Sequence, residues 1–329
     1  MKKVVAYGEI MMRLTPQNLQ SLEDCNALDL CYGGTESNVL VALSHLGDET
    51  SYLTKLPDNQ LGEAVTRHLL RHQVGVDNIV YGGSMLGIYF MEPGFATRPS
   101  SVIYHRKAAV INTLTEEDFD YDKVFDGCSW FHVTGISLAI SEASKKVAIR
   151  LCQEAKKRNL VVSFDFNYRA TLWSLDEAKL VYKDIMQYVD VCFGNAFDLD
   201  NFMSIKEENE LDSIRRFLKE YDVKYLIHTK RNIIDANTQS LSGHLYSSSI
   251  EEHTDTRSFE VLDRIGGGDA FVAGVIHILN NDITNTKEAI SLGIDLGILK
   301  HLVLGDVLGL SAREINKWLS NNKKKDVIR

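Results

Sequence analysis

From about Asp118 onward the chain alternates short apolar runs with longer stretches of helical periodicity, and this alternation restricts the possible folds more than any other feature. Ser129–Gly135 reads as a strand and turn, Ser141–Lys157 as a helix, Leu160–Asp165 as a strand and Val189–Gly194 as the next. Lys224–Arg231 reads as a further strand running into a polar turn. Strands separated by helices imply right-handed crossovers and a mostly parallel sheet with both faces covered. Ligands of such sheets gather beyond the strand C-terminal ends, so the polar residues standing there are the candidates for chemistry.

One such end is Asp263-Arg264-Ile265-Gly266-Gly267-Gly268-Asp269-Ala270-Phe271. Phe259–Leu262 before it is strand-like, and Phe271, Val275, Ile278 and Leu279 recur behind it at helical spacing. Three consecutive residues without a Cβ let backbone N–H groups crowd onto one small anion, and the partial positive end of the helix points the same way. A carboxylate beside such a nest is repelled by the anion, which makes Asp269 a poor choice for binding alone. For a reaction it is useful: an ionised Asp can take the proton of an alcohol attacking a phosphorus held over Gly266, Gly267 and Gly268. The plainer alternative is a glycine-rich turn in which Asp269 serves as a helix cap or first-turn acid.

This segment resembles the second signature of the ribokinase-like carbohydrate kinases, the PfkB family, in which an Asp, two variable positions, a Gly/Ala-rich triplet and a catalytic Asp open a helix. Gly33-Gly34-Thr35-Glu36-Ser37-Asn38, continuing through Ala42 to Leu46-Gly47, resembles the first. Arg264 departs from the Thr or similar small residue of most relatives and is similar to the form in the sugar-acid kinases of the family. The resemblance covers nearly the whole chain. It implies a three-layer α/β/α fold with a mostly parallel central sheet, one kinase domain over 1–329, and a small β-lid from about 11–32 and 86–109. It also implies ATP and Mg²⁺, with a monovalent cation such as K⁺ as a further candidate, and a homodimer formed through the lid. Gly33, Gly34 and Asn38 become sugar-side candidates, at the start of a helix from about Ser37 to Leu46 that Ser37 or Asn38 could equally just cap.

The lid strands Gly87–Glu92 and Ser101–Arg106 carry Tyr89, Tyr104 and Arg106. Positions two apart on a strand share a face, so Tyr104 and Arg106 present a hydroxyl and a guanidinium together, suited to a sugar carboxylate or equally to ordinary cross-strand pairing. Asp165-Phe166-Asn167-Tyr168-Arg169, followed by Leu172-Trp173, resembles an element of 2-keto-3-deoxygluconate kinases in which the Arg contacts the sugar acid. Asn167 and Arg169 are therefore carried over, while Arg169 could alternatively pair with Asp165. Glu9, after the first strand, reads most simply as a solvated acid. By resemblance, Asn195, Thr229, Arg231 and Gly305 fall on the nucleotide side with Gly266 and Gly268. Asp198 stands where relatives carry Glu of an Asn-x-x-Glu element, a shorter carboxylate still available to Mg²⁺ through water.

The net charge of −9 argues against a general nucleic-acid or membrane-surface binder. No apolar run approaches a membrane span, an acid stands too early for a signal peptide, and five scattered cysteines without a CxxC pair read as reduced, which together suit the cytoplasm. Lys323-Lys324-Lys325 reads as a solvated tail. The expected activity is phosphorylation of a small sugar acid, 2-keto-3-deoxygluconate to its 6-phosphate, with a fructokinase or another family sugar kinase as the nearest rival. A nucleotide-binding protein without activity is disfavoured by Asp269. A dinucleotide oxidoreductase is disfavoured because Gly-Gly-Gly-Asp is not the GxGxxG spacing.

Overall fold

The computed structural model describes residues 2–321, so the Lys323-Lys324-Lys325 tail lies outside the described residues. The strands are β1 Lys3–Tyr7, β2 Met11–Pro16, β3 Leu28–Gly33, β4 Glu49–Leu56, β5 Ile79–Tyr81, β6 Ile88–Glu92 and β7 Ser101–His105. They continue with β8 Cys128–Thr134, β9 Val161–Asp165, β10 Val191–Phe193, β11 Tyr225–Ile233, β12 Thr238–Tyr246, β13 Glu251–His253 and β14 Arg257–Glu260. Ten of them form one sheet in the order β13-β12-β11-β10-β9-β8-β1-β4-β5, with β14 also against β12. Pairing is parallel from β5 through to β11 and antiparallel beyond.

Side-chain alternation along these strands feeds two cores. Val4 and Ala6 belong to the core under helices Thr35–Leu46, Gly267–Asn281 and Thr286–His301, whereas Val5 and Tyr7 belong to that under Glu142–Lys157, Leu175–Met186 and Glu210–Glu220. A strand buried on both faces reads as a continuous apolar run, which is why β1 and β9 are legible in the sequence. The result is the expected three-layer α/β/α arrangement.

A second sheet, β3-β2-β6-β7, is separate from the first; on one face it buries the small cluster of Met11, Tyr89 and Met91, while Met12 joins the core under helix Thr35–Leu46. It occupies the two segments expected to form a lid. No helix among the described residues is long and apolar enough to cross a membrane.

Local departures from the sequence reading have local causes. The first-signature helix begins at Thr35, two residues before Ser37, because extended Gly34 already takes the cap position. Residues 237–246, which show little pattern, are largely β12, whose Gln239, Ser240 and Ser242 are buried and so erase the polar–apolar alternation. β11 runs on to Ile233 through the expected polar turn, because β12 pairs with it from Leu226 to Ile233.

Sequential strands lead in opposite directions from β1, to β4 on one side, while β8 lies on the other. A crevice opens where the order reverses, and the chain ends following β1, β8, β9 and β10 converge on it.

Candidate active site

That crevice holds a cavity of about 620 Å³ walled by both sheets and by the helix Gly267–Asn281. Gly266 is the helix cap, with φ of 82°, and a Cβ there would lie 1.8 Å from the Asp306 carbonyl oxygen, so only glycine fits. A Cβ on Gly267 would strike the His301 ring at 2.0 Å, which lets the helix start pack directly on Thr286–His301. Gly268 instead faces open space on the cavity wall. The first N–H groups of a helix have no intrahelical acceptor, so this end offers donors and a positive dipole to an anion.

Asp269 is the third residue of the helix, so it is not its cap. Its carboxylate is half-buried on the cavity wall and accepts a hydrogen bond from Asn38 Nδ2 at 2.7 Å. Asn38 is itself oriented, because its Oδ1 accepts the Gly34 N–H at 3.3 Å. The two signatures thus meet in one hydrogen bond, and Gly33 and Gly34 line the same wall. Burial, reinforced by the charges of Glu36 and Asp306 and opposed by Asn38 and Arg169, pushes the Asp269 carboxyl up to about 7.

Two more carboxylates face the cavity. Asp165, at the end of β9, accepts the Asn167 N–H at 3.1 Å and is pushed up to about 7 by burial and by Asp269 and Asp198. Asp198 Oδ2 accepts the Asn195 N–H at 2.8 Å while Asn195 Oδ1 accepts that of Phe197 at 2.8 Å, and burial raises Asp198 to about 6. Among the described residues no three His, Cys, Asp or Glu side chains form a metal cage. Two raised carboxylates on one wall fit Mg²⁺, which takes one or two protein carboxylates and keeps its waters, better than a metal needing a closed ligand set.

Arg169 makes no ion pair with any described carboxylate, Asp165 included; its Nη1 donates to the Tyr168 carbonyl at 3.3 Å, leaving an exposed guanidinium on the wall beside Asn167. Arg106 is different: the expected free guanidinium is buried against Glu9, and Glu9 is 5% exposed rather than solvated. Burial raises the Glu9 carboxyl, an effect that Arg106 opposes. The register explains it, since β7 ends at His105 and Arg106 turns inward while Tyr104 stays exposed. Both residues still border the cavity.

The Tyr89 hydroxyl, read as a sugar contact, donates to Asp306, although the residue still borders the cavity. Asp306 also accepts from Arg13 Nη1 at 2.8 Å, and the same nitrogen lies 2.8 Å from Asp263 Oδ2. This ties β2 to the loop ahead of the helix Gly267–Asn281. Gly305 belongs to that framework and not to the cavity wall, for its N–H donates to Asp263 Oδ2 at 3.1 Å. Gly267 is likewise behind the wall. Asn195, Thr229 and Arg231 do line the cavity, and burial together with neighbouring Arg264 lowers the Arg231 pKa.

Sequence reasoning passed over Glu36 and Arg13, and by resemblance placed Asp306 beside the adenine rather than against Arg13 and Tyr89. Glu36 is buried, accepting from Thr134 N at 3.1 Å, Thr134 Oγ1 at 2.8 Å and Ser137 Oγ at 2.7 Å, and it fastens the first-signature helix to the end of β8. The available signal is an acid inside the Gly-Gly-Thr-Glu-Ser-Asn stretch, one residue into the helix.

Comparison with known proteins agrees with this geometry. Residues 1–300 match the pfkB family of carbohydrate kinases. A 2-dehydro-3-deoxygalactonokinase from Haloferax volcanii is 31% identical, covering 96% of both chains. The crystal structure of a 2-dehydro-3-deoxygluconokinase from Thermotoga maritima superposes with a TM-score of 0.91 at 33% identity, over 97% of this chain and 98% of the other. A PfkB carbohydrate kinase from Listeria grayi gives 0.92 at 33%, over 97% of this chain and 100% of its own. With both signatures closed on each other across one cavity, this chain belongs to the PfkB family of carbohydrate kinases.

Proposed function

We propose that this kinase uses ATP with Mg²⁺ to phosphorylate the terminal hydroxyl of a small sugar acid, 2-keto-3-deoxygluconate, giving the 6-phosphate. The observation that carries the choice of acceptor is the unpaired Arg169 guanidinium, which shares the cavity with Asp269. A carboxylated sugar can take two parallel hydrogen bonds from it, and a neutral hexose cannot use its charge.

In this reading the acceptor hydroxyl lies against Asp269, which receives its proton as the oxygen bonds to the γ-phosphorus and the bond to the β-phosphate oxygen breaks. The helix start at Gly266–Gly268 donates to the transferring group, where loss of one such donor costs roughly a hundred- to a thousandfold in rate. Mg²⁺ would be held through Asp165 and Asp198 and neutralise phosphate charge. Arg231 and Thr229, on one face of β11, would meet the nucleotide. The second sheet acts as a lid over the acceptor, with Tyr104 and the ring of Tyr89 against the sugar. Its exposed Leu28, Leu30 and Ile103 suit a second copy of the chain, making a homodimer through the lid. Five free thiols suit a reducing cytoplasm.

Relatives act on both the gluco and the galacto form of 2-keto-3-deoxy acids by their names, so the test is a kinetic panel of both epimers, fructose and other free hexoses with MgATP. Phosphorylation of the gluco acid with the highest kcat/KM is expected, and equal turnover of fructose overturns the reading. Asp269→Asn should abolish turnover while leaving ATP binding intact. Buffers with and without K⁺ read any monovalent-ion requirement, and Ile103→Arg with light scattering reads the dimer.

A further inference from the structure

The small sheet touches the main body at its tip as well as at its base. At the tip, Phe95 and Arg98 close a turn between β6 and β7 with reciprocal N–H to carbonyl bonds of 3.0 and 2.9 Å. Arg98 Nη2 donates to Leu19 O at 2.8 Å and Pro93 O at 3.1 Å, so the two hairpins of the sheet are stitched together there. Ala96, at the apex, has φ of 49°, a conformation unfavourable for a residue with a Cβ and retained only where the surroundings enforce it.

The surroundings are the β11–β12 connection. Ala96 N–H donates to Asn237 Oδ1 at 2.7 Å, and Ala236 N–H donates back to Ala96 O at 2.9 Å. Asn237 also reaches the other way: its carbonyl accepts Val261 N–H at 2.6 Å and its Nδ2 donates to Val261 O at 3.4 Å. Val261 leads directly to Asp263, which accepts the Ile265 N–H at 3.1 Å and pairs with Arg13 of β2. The small sheet is thereby attached at both ends to one short segment, Val261–Gly266, that ends in the anion hole.

We infer that Asn237 is a positioning residue, latching the tip of the lid to the segment that carries the anion hole, so that lid closure over the acceptor and alignment of the phosphoryl site occur together. The inference rests on the proposed sugar-acid kinase reading for its kinetic consequence, though not for the latch itself. An open lid admits water, and water competes with the sugar hydroxyl for the γ-phosphorus.

The test uses the full chain with Asn237→Ala, which removes both contacts of the side chain, and Asn237→Asp, which keeps the acceptor for Ala96 N–H and loses the donor to Val261. Chymotryptic cleavage after Phe95 reports the latch without any substrate. Loss of one net hydrogen bond should raise cleavage roughly fivefold in Asn237→Ala. Acceptor KM should rise by a similar factor, and ATP hydrolysed per sugar phosphorylated should increase, with Asn237→Asp staying within about twofold of the unmodified chain on each measure. Unchanged cleavage and unchanged coupling in Asn237→Ala overturn the inference, as does equal impairment by the two substitutions, which would assign the effect to the Val261 contact. Increased cleavage in a chain that phosphorylates no sugar acid would leave the latch standing and reject the proposed substrate.

Discussion

The Asn38 amide donates to the Asp269 carboxylate across 2.7 Å, joining residues 231 positions apart and setting how readily the proposed base gives up its proton. As the proposed base Asp269 has to be ionised, and its carboxyl is raised to about 7, so kcat/KM should fall as pH drops through about 7. Asn38→Ala removes the hydrogen bond that stabilises the ionised form. The inflection in its pH–rate profile should move up by about one unit, since a charged hydrogen bond and one pKa unit are of similar size. A profile that stays in place argues that another group limits the rate.

Asp165 binds its proton more tightly in the folded chain than an unfolded Asp does, because of burial and of Asp269 and Asp198. The sign follows from linkage: the folded state gains relative stability at low pH, and this is lost as pH rises from the ordinary carboxylate range to about 7. Asp165→Asn should therefore raise Tm more at pH 8 than at pH 5. Thermal unfolding at the two pH values checks this, and a Tm increase of the same size at both would contradict it.

Arg106 and Glu9 form a buried pair, so truncating one strands the other. Arg106→Ala should destabilise the chain by about 3–5 kcal/mol in urea unfolding, whereas Glu9→Gln combined with Arg106→Met should recover much of the loss. A loss below about 1 kcal/mol for the single substitution would mean that water reaches Glu9.

Arg169 is exposed and makes no ion pair, so its removal should leave Tm unchanged. If it holds the sugar carboxylate, Arg169→Ala should raise KM for the sugar acid roughly ten- to a hundredfold, the size of a charged hydrogen bond, and leave KM for ATP alone. Steady-state titration of each substrate separates the two.

The sequence alone determined the layers and pointed to the proposed chemical centre. Val4–Ala6 announces a doubly buried strand through an unbroken apolar run and Val161–Phe164 through a run broken only by Ser163, and the proposed anion hole is legible because it would be built from consecutive backbone N–H groups, which local glycines reveal. Asn237 was hidden in a stretch without pattern because β12 buries Gln239, Ser240 and Ser242. The tertiary structure alone decided which charges are spent internally. Glu9 and Arg106 are 97 residues apart, and Arg13 and Asp306 are 293 apart. Nothing local marks such pairs, since a carboxylate bound for the interior and one bound for water look the same until the fold brings, or fails to bring, a cation to it. Arg169 makes no ion pair although Asp165 lies only four residues before it in the chain, because the fold leaves its guanidinium exposed on the cavity wall, where its charge reaches Asp165 and Asp269 only through space.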